Sequence, residues 1–154
     1  MGSTFVDFKG HGFEADDSTL EVWLALLVDE INRTQDAPQW LRDLREEWEI
    51  RATAKFGFGV MPGLDDVVTD DSRRLAILAL ATRALERLKG LGDPIPQGTL
   101  NAIRDWGEGS NYLGDVAAVN FVRPAEYFIK LLEGRLAPEE IDARFPSDYV
   151  ASES

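Results

Sequence analysis

The segment Thr4-Phe5-Val6-Asp7-Phe8-Lys9 alternates apolar and polar residues before it meets Gly10-His11-Gly12. A period of two marks an extended strand, and the glycines mark a turn. The pattern predicts an extended N-terminal segment over residues 1–13 carrying a lone short strand.

From Leu20 the period changes to that of a helix. Leu20, Trp23, Leu24, Leu27, Val28 and Ile31 fall at i, i+3, i+4, i+7, i+8 and i+11, one continuous apolar stripe. Ser18-Thr19-Leu20-Glu21 precedes it as a capping box, and the helix should end near Arg33. Asp36-Ala37-Pro38-Gln39 offers a second start, with an Asp cap and Pro in the first turn. Leu41, Leu44, Trp48 and Ala52 form its stripe, with Trp40 beside it. The two helices should lie antiparallel across a short link.

Phe56-Gly57-Phe58-Gly59-Val60-Met61-Pro62-Gly63 breaks the pattern and reads as an apolar loop or short strand; one helical turn is expected over Asp65–Val68. A third long helix starts near Asp70–Ser72 and stops at Lys89-Gly90, lined by Leu75, Leu78, Leu85 and Leu88, with Ala81 allowing close approach. Asp93-Pro94-Ile95-Pro96 reads as a rigid linker and Thr99–Trp106 as a short helix. Gly107–Asp115 is a polar loop, while Val116–Val122 suits a strand or a buried helical lead-in equally. Pro124–Glu133 predicts a helix with Ala125, Phe128, Ile129 and Leu132 inward and Gly134 as terminator. Pro138–Ala143 should begin a short last helix, and residues 147–154 a flexible tail. The fold expected is mainly α: a compact single-domain bundle of about four to six helices over residues 1–154, with a short N-terminal strand.

Composition narrows the chemistry. The chain has 154 residues, no cysteine and one histidine, His11. Disulfides, thiolate metal sites and cysteine nucleophiles are excluded, as is any site needing two imidazoles. With 28 acidic against 16 basic side chains, the formal net charge is −12. That field repels nucleic-acid phosphates and anionic membranes, so neither is expected as a partner. It steers a basic protein inward, and it also serves plain solubility. No apolar run approaches the ~20 residues of a spanning helix. The opening Met1–Gly10 lacks a charged start followed by an apolar stretch, so no secretory leader is expected and the location expected is cytoplasmic.

No motif declares a reaction or a cofactor. The glycines of Gly57–Gly63 miss the dinucleotide spacing and carry no Lys-Ser/Thr of a phosphate loop. Ser110 is not in a nucleophile elbow, because position 112 is Tyr where glycine is required. Among the paired acids, Asp16-Asp17 and Asp70-Asp71 sit at helix starts, where the dipole favours them. Asp29-Glu30 and Glu46-Glu47 are expected on polar helix faces. Asp65-Asp66-Val67-Val68-Thr69-Asp70-Asp71 has an apolar gap where a calcium loop needs alternating oxygens, so no metal site is expected.

That run is nonetheless the densest charge in the chain, and Phe58, Met61 and Leu64 adjoin it. Apolar anchors inside a charged rim make a protein interface. The loop from Trp106 to Asp115 adds Tyr112 as a further candidate anchor. Asp65, Asp66, Asp70, Asp71, Phe58, Met61 and Tyr112 are therefore the expected partner-binding residues.

Phe8-Lys9-Gly10-His11-Gly12-Phe13, then Asp17 and Leu20-Glu21-Val22-Trp23-Leu24, resemble the openings of small acidic bacterial proteins of the toxin-immunity type. Trp40-Leu41, Leu44, Trp48 and Leu100-Asn101 extend the resemblance along the chain. It implies a helical or mixed inhibitor that binds a cognate toxin, often through acidic residues when the toxin is a basic nuclease, and it carries over no catalytic residue. The reading expected is a non-enzymatic protein-binding domain. The alternatives are a small carboxylate enzyme, metal-assisted or not, using His11, and a structural homo-oligomerisation module.

Overall fold

The computed structural model describes residues 2–53, 62–103 and 112–144, without the side chains of 52 and 53. Phe58, Met61, the loop or strand expected from Phe56, Trp106, Ser110 and the tail expected from 147 lie outside the described residues.

The chain opens with a hairpin: β1 (Ser3–Phe8) and β2 (His11–Asp16) pair antiparallel in the register Phe8↔His11 to Ser3↔Asp16. The expected lone strand thus has its neighbour immediately downstream. Lys9 and Gly10 both take positive φ, 52° and 82°, the two-residue turn whose twist matches paired strands. The signal was blurred because Gly12 sits inside β2. A Cβ there would lie 2.8 Å from the Phe5 ring, which covers Gly12 on the exposed face.

Helix α1 (Asp17–Asn32) begins one residue before the expected cap. The Asp17 amide donates to the Gly2 carbonyl at 3.0 Å, so the hairpin closes the helix start and Ser18 lies inside the first turn rather than capping it. The whole predicted stripe is buried, and so are Val22, Ala25 and Leu26. A helix apolar on most of its circumference has to sit at the centre. Accordingly α1 packs against β2, α2 (Gln39–Thr53), α4 (Asp71–Lys89), α5 (Gln97–Ile103) and α6 (Val119–Glu133).

In α2, Leu41, Leu44 and Trp48 are buried as the stripe requires. Asp36 does not cap it. Asp36 turns with φ 51°, and the Pro38 carbonyl takes the amides of Leu41 and Arg42 instead. The expected single turn is α3 (Leu64–Val67). In α4 the buried set is Ile77, Leu80, Ala81, Ala84, Leu85 and Leu88, and Leu75 is 57% exposed. Leu75 is two residues, about 200°, from Ile77, on nearly the opposite face.

The supposed linker is structural: Ile95 is buried and exchanges two backbone hydrogen bonds with Val116, at 2.8 and 3.1 Å. The span 116–122 therefore divides, with Val116 in that bridge and the rest leading into α6. Helix α6 contains Pro124, starts five residues before it, and ends at Gly134 with φ 74°. Among the described residues, no helix follows. Residues 141–143 run beside β2, where the Glu14 amide donates to Ile141 O at 2.9 Å and the Ala143 amide to Glu14 O at 2.7 Å. The open side of β2 supplies a two-bond bridge at Glu14 that takes the place of one more helical turn.

The result is mainly helical with a small N-terminal sheet, built on one contiguous core that draws on the hairpin and on α1 to α6. Among the described residues no helix is long and apolar enough to cross a membrane.

Candidate protein-binding surface

The acidic run forms a ledge made of α3 and the start of α4. Gly63, with φ 66°, turns the chain into α3, and buried Leu64 and Val68 pin this four-residue helix to the core. Asp65 and Asp66 occupy its first turn and are exposed. The Lys9 amide donates to Asp65 Oδ1 at 2.9 Å, which ties the ledge to the hairpin turn. Asp70 caps α4 by accepting from the Arg73 amide at 2.8 Å. Asp71 follows in the first turn and meets Arg74 Nε at 3.2 Å. Both positions agree with the helix dipole, which favours negative charge at an N-terminus.

All four aspartates remain exposed, so local structure fixes their placement without removing them from solvent. The two cations of the same stretch stand behind them. Arg73 stacks over the Trp40 ring, 4.9 Å from its centroid, and reaches Val67 O at 3.3 Å. Arg74 divides its donors between Asp71 and Leu132 O. One turn beyond Asp71, at i+4, stands exposed Leu75, an apolar contact beside the carboxylates. Sequence reasoning assigned Leu75 to the core. The run Ile77, Ala81, Ala84, Leu88 is the better helical stripe, and it leaves Leu75 outside.

Tyr112 is not a surface anchor. It is fully buried, its ring stands edge-on to Phe121 at 5.9 Å, and its hydroxyl donates to the Ser18 carbonyl at 3.1 Å. Asn101 holds its backbone from both sides, accepting from the Tyr112 amide at 2.7 Å and donating to its carbonyl at 3.1 Å. A tyrosine so enclosed belongs to the core that joins the 112–116 segment to α1.

The pair Asp29-Glu30 also departs from expectation. Glu30 is 4% exposed, and Arg83 and Arg87 of α4 satisfy its carboxylate at 3.1 and 3.0 Å. Arg87 also meets Asp29 at 2.7 Å. These groups lock α1 to α4. Asp29 and Arg87 then form part of the wall of a groove of 690 Å³ between α1, α2, α4 and α5.

His11 is exposed at the hairpin turn and lines a separate cleft of 390 Å³. Glu133 is the one carboxylate residue on that wall, and it is paired with Arg135. Among the described residues no three His, Asp or Glu side chains converge as a metal-binding group.

Comparison with protein-family models, with curated proteins and with solved structures finds no match to this chain.

Proposed function

We propose that this chain is a non-enzymatic protein-binding domain, an inhibitor of the immunity type that neutralises a basic bacterial toxin. The observation that carries the reading is the ledge: four exposed aspartates, each on a short helix start that the core anchors, with Leu75 beside them. Net charge −12 accelerates the approach of a basic partner, and the ledge focuses that field on one edge. Asp65, Asp66, Asp70 and Asp71 meet cationic side chains, and Leu75 supplies desolvated contact at their border. Close interfacial charge pairs couple by about 1.5–7 kcal/mol, so the loss of even one is measurable as roughly tenfold or more in affinity.

The test is affinity capture from lysate of the source organism at low and at high salt, beside a variant with all four aspartates changed to Asn. Asn caps a helix about as well as Asp, so the variant keeps the start of α4. The result expected is a basic protein retained at low salt, lost at high salt and lost by the variant, whose toxicity co-expression of this chain relieves. Retention of the same partner by the four-Asn variant at both salts overturns the reading.

The enzyme alternative needs at least two carboxylates converging on His11. The cleft there supplies Glu133 alone among the described residues, already engaged by Arg135, which favours the binding reading.

A further inference from the structure

The cleft at His11 reverses the charge of the molecule around it. Its wall carries Lys9 and His11 from the hairpin turn and Arg74 from α4, against the one carboxylate of Glu133, in a chain with 28 acidic and 16 basic side chains. Its floor is apolar, built from Phe8, Leu131, Leu132 and Leu136. The C-terminal end of α6 closes one side, and the partial negative charge of that end is already answered. Gly134 N–H donates to Leu131 O at 3.2 Å, Arg135 N–H to Lys130 O at 2.8 Å, and Arg74 Nη1 to Leu132 O at 3.4 Å. Glu133 is likewise held by Arg135. Donors thus engage the carbonyls of Lys130, Leu131 and Leu132 and the Oε1 of Glu133 on this wall.

We propose that this cleft is a binding site for a short aliphatic carboxylate. An apolar floor with a few convergent polar groups is the general form of a small-molecule site, and 390 Å³ lies at the lower end of the usual range of about 300–1,000 Å³. The alkyl chain lies on Phe8, Leu131, Leu132 and Leu136, and the carboxylate meets the rim. Arg74 is the principal partner: its side chain is one-quarter exposed, and its guanidinium is positioned by Asp71 and Leu132 O. Lys9 adds a second charge on the turn. The site is separate from the partner-binding reading, apart from the Asp71–Arg74 contact and the Lys9 amide bond to Asp65 that join the two edges.

Isothermal titration of the purified full chain with octanoate, octanol and acetate tests it. Octanoate should bind with a Kd of about 1 mM or tighter, and octanol and acetate at least about tenfold more weakly, since one lacks the charge and the other the chain. Arg74→Gln should weaken octanoate at least about fivefold, and Lys9→Gln about twofold to threefold, with circular-dichroism melting curves confirming that each variant is folded. Lys9→Gln changes an exposed turn residue, so it keeps the test open if Arg74→Gln unfolds the chain. Octanol binding as tightly as octanoate, no saturation by octanoate, or unchanged octanoate affinity in a folded Arg74→Gln or Lys9→Gln chain overturns the proposal. None of these outcomes bears on capture of a basic protein by the aspartate ledge.

Discussion

Glu30 of α1 accepts a hydrogen bond from Arg87 of α4 at 3.0 Å, with its carboxylate almost wholly removed from water. Arg83 completes the arrangement from one turn earlier on α4, at 3.1 Å. The pair spans 57 positions of sequence. It fixes how α4, and with it the aspartate ledge, sits on the central helix.

Breaking this contact from the buried side and from the exposed side should differ. Arg87→Ala leaves the buried carboxylate with Arg83 and should cost about 1.5–3 kcal/mol, the range for hydrogen bonds to charged groups. Glu30→Gln leaves arginines that reach solvent, so about 1 kcal/mol is expected once screening at exposed guanidinium groups is allowed for. Urea unfolding curves compare the two; equal costs would contradict the asymmetry.

Tyr112 should matter to stability and not to partner binding. Tyr112→Phe removes the hydroxyl that bonds Ser18 O and should cost about 1 kcal/mol. Tyr112→Ala opens a cavity against Phe121 and should cost about 3–5 kcal/mol. Thermal unfolding reads both. A melting temperature unchanged in Tyr112→Ala would mean that the residue is not in the core.

Gly12 is fixed by contact rather than by its own dihedrals. Gly12→Ala places a Cβ 2.8 Å from the Phe5 ring and against the Val6 carbonyl, and overpacking of this kind should cost about 1–3 kcal/mol. Combining it with Phe5→Ala relieves the ring contact but not the backbone one, so the double variant should recover only part of the loss. A double-mutant cycle by urea unfolding gives the coupling.

Acid should weaken the Asp142–Arg144 contact at the end of the 141–144 strap. Hydrogen bonds from Arg144 hold the Asp142 carboxyl down to about 2 from an ordinary value of 3.8. A depressed folded-state value means that the stabilisation is present above the unfolded value and is lost as pH falls from about 4 towards 2. The pair is half exposed, so its worth is the ~0.2–1 kcal/mol of a surface ion pair. Asp142→Asn should lose that ~0.2–1 kcal/mol at neutral pH, match the parent chain near pH 2, and so flatten the acid limb between about 4 and 2. An unaltered acid limb would show that Arg144 does not hold this carboxyl.

The helices were legible because a period of 3.6 repeats in every turn and each turn reports on the same buried face. Leu20 to Ile31 and Leu41 to Trp48 are buried where their spacing put them. The ledge was equally legible as a charge run, since four aspartates at helix starts need no distant contact to be placed. Pro124 misled for the converse reason: an apolar lead-in carries no period long enough to show that the helix had already begun.

What the sequence determined by itself was the local part: the helix periods, the dense acid run, the absence of thiol chemistry and the sign of the overall field. Tertiary structure decided which groups left water. Tyr112 and Glu30 look like surface residues by type, but distant groups, Ser18 O and the α4 arginines, satisfy their polar atoms and make burial affordable. Residues 141–143 became an extended segment bridged to β2 for the same reason, because Glu14 still offered its amide and carbonyl. Hydrogen bonds between groups far apart in sequence have no local period to announce them. Only the folded chain brings donor and acceptor together.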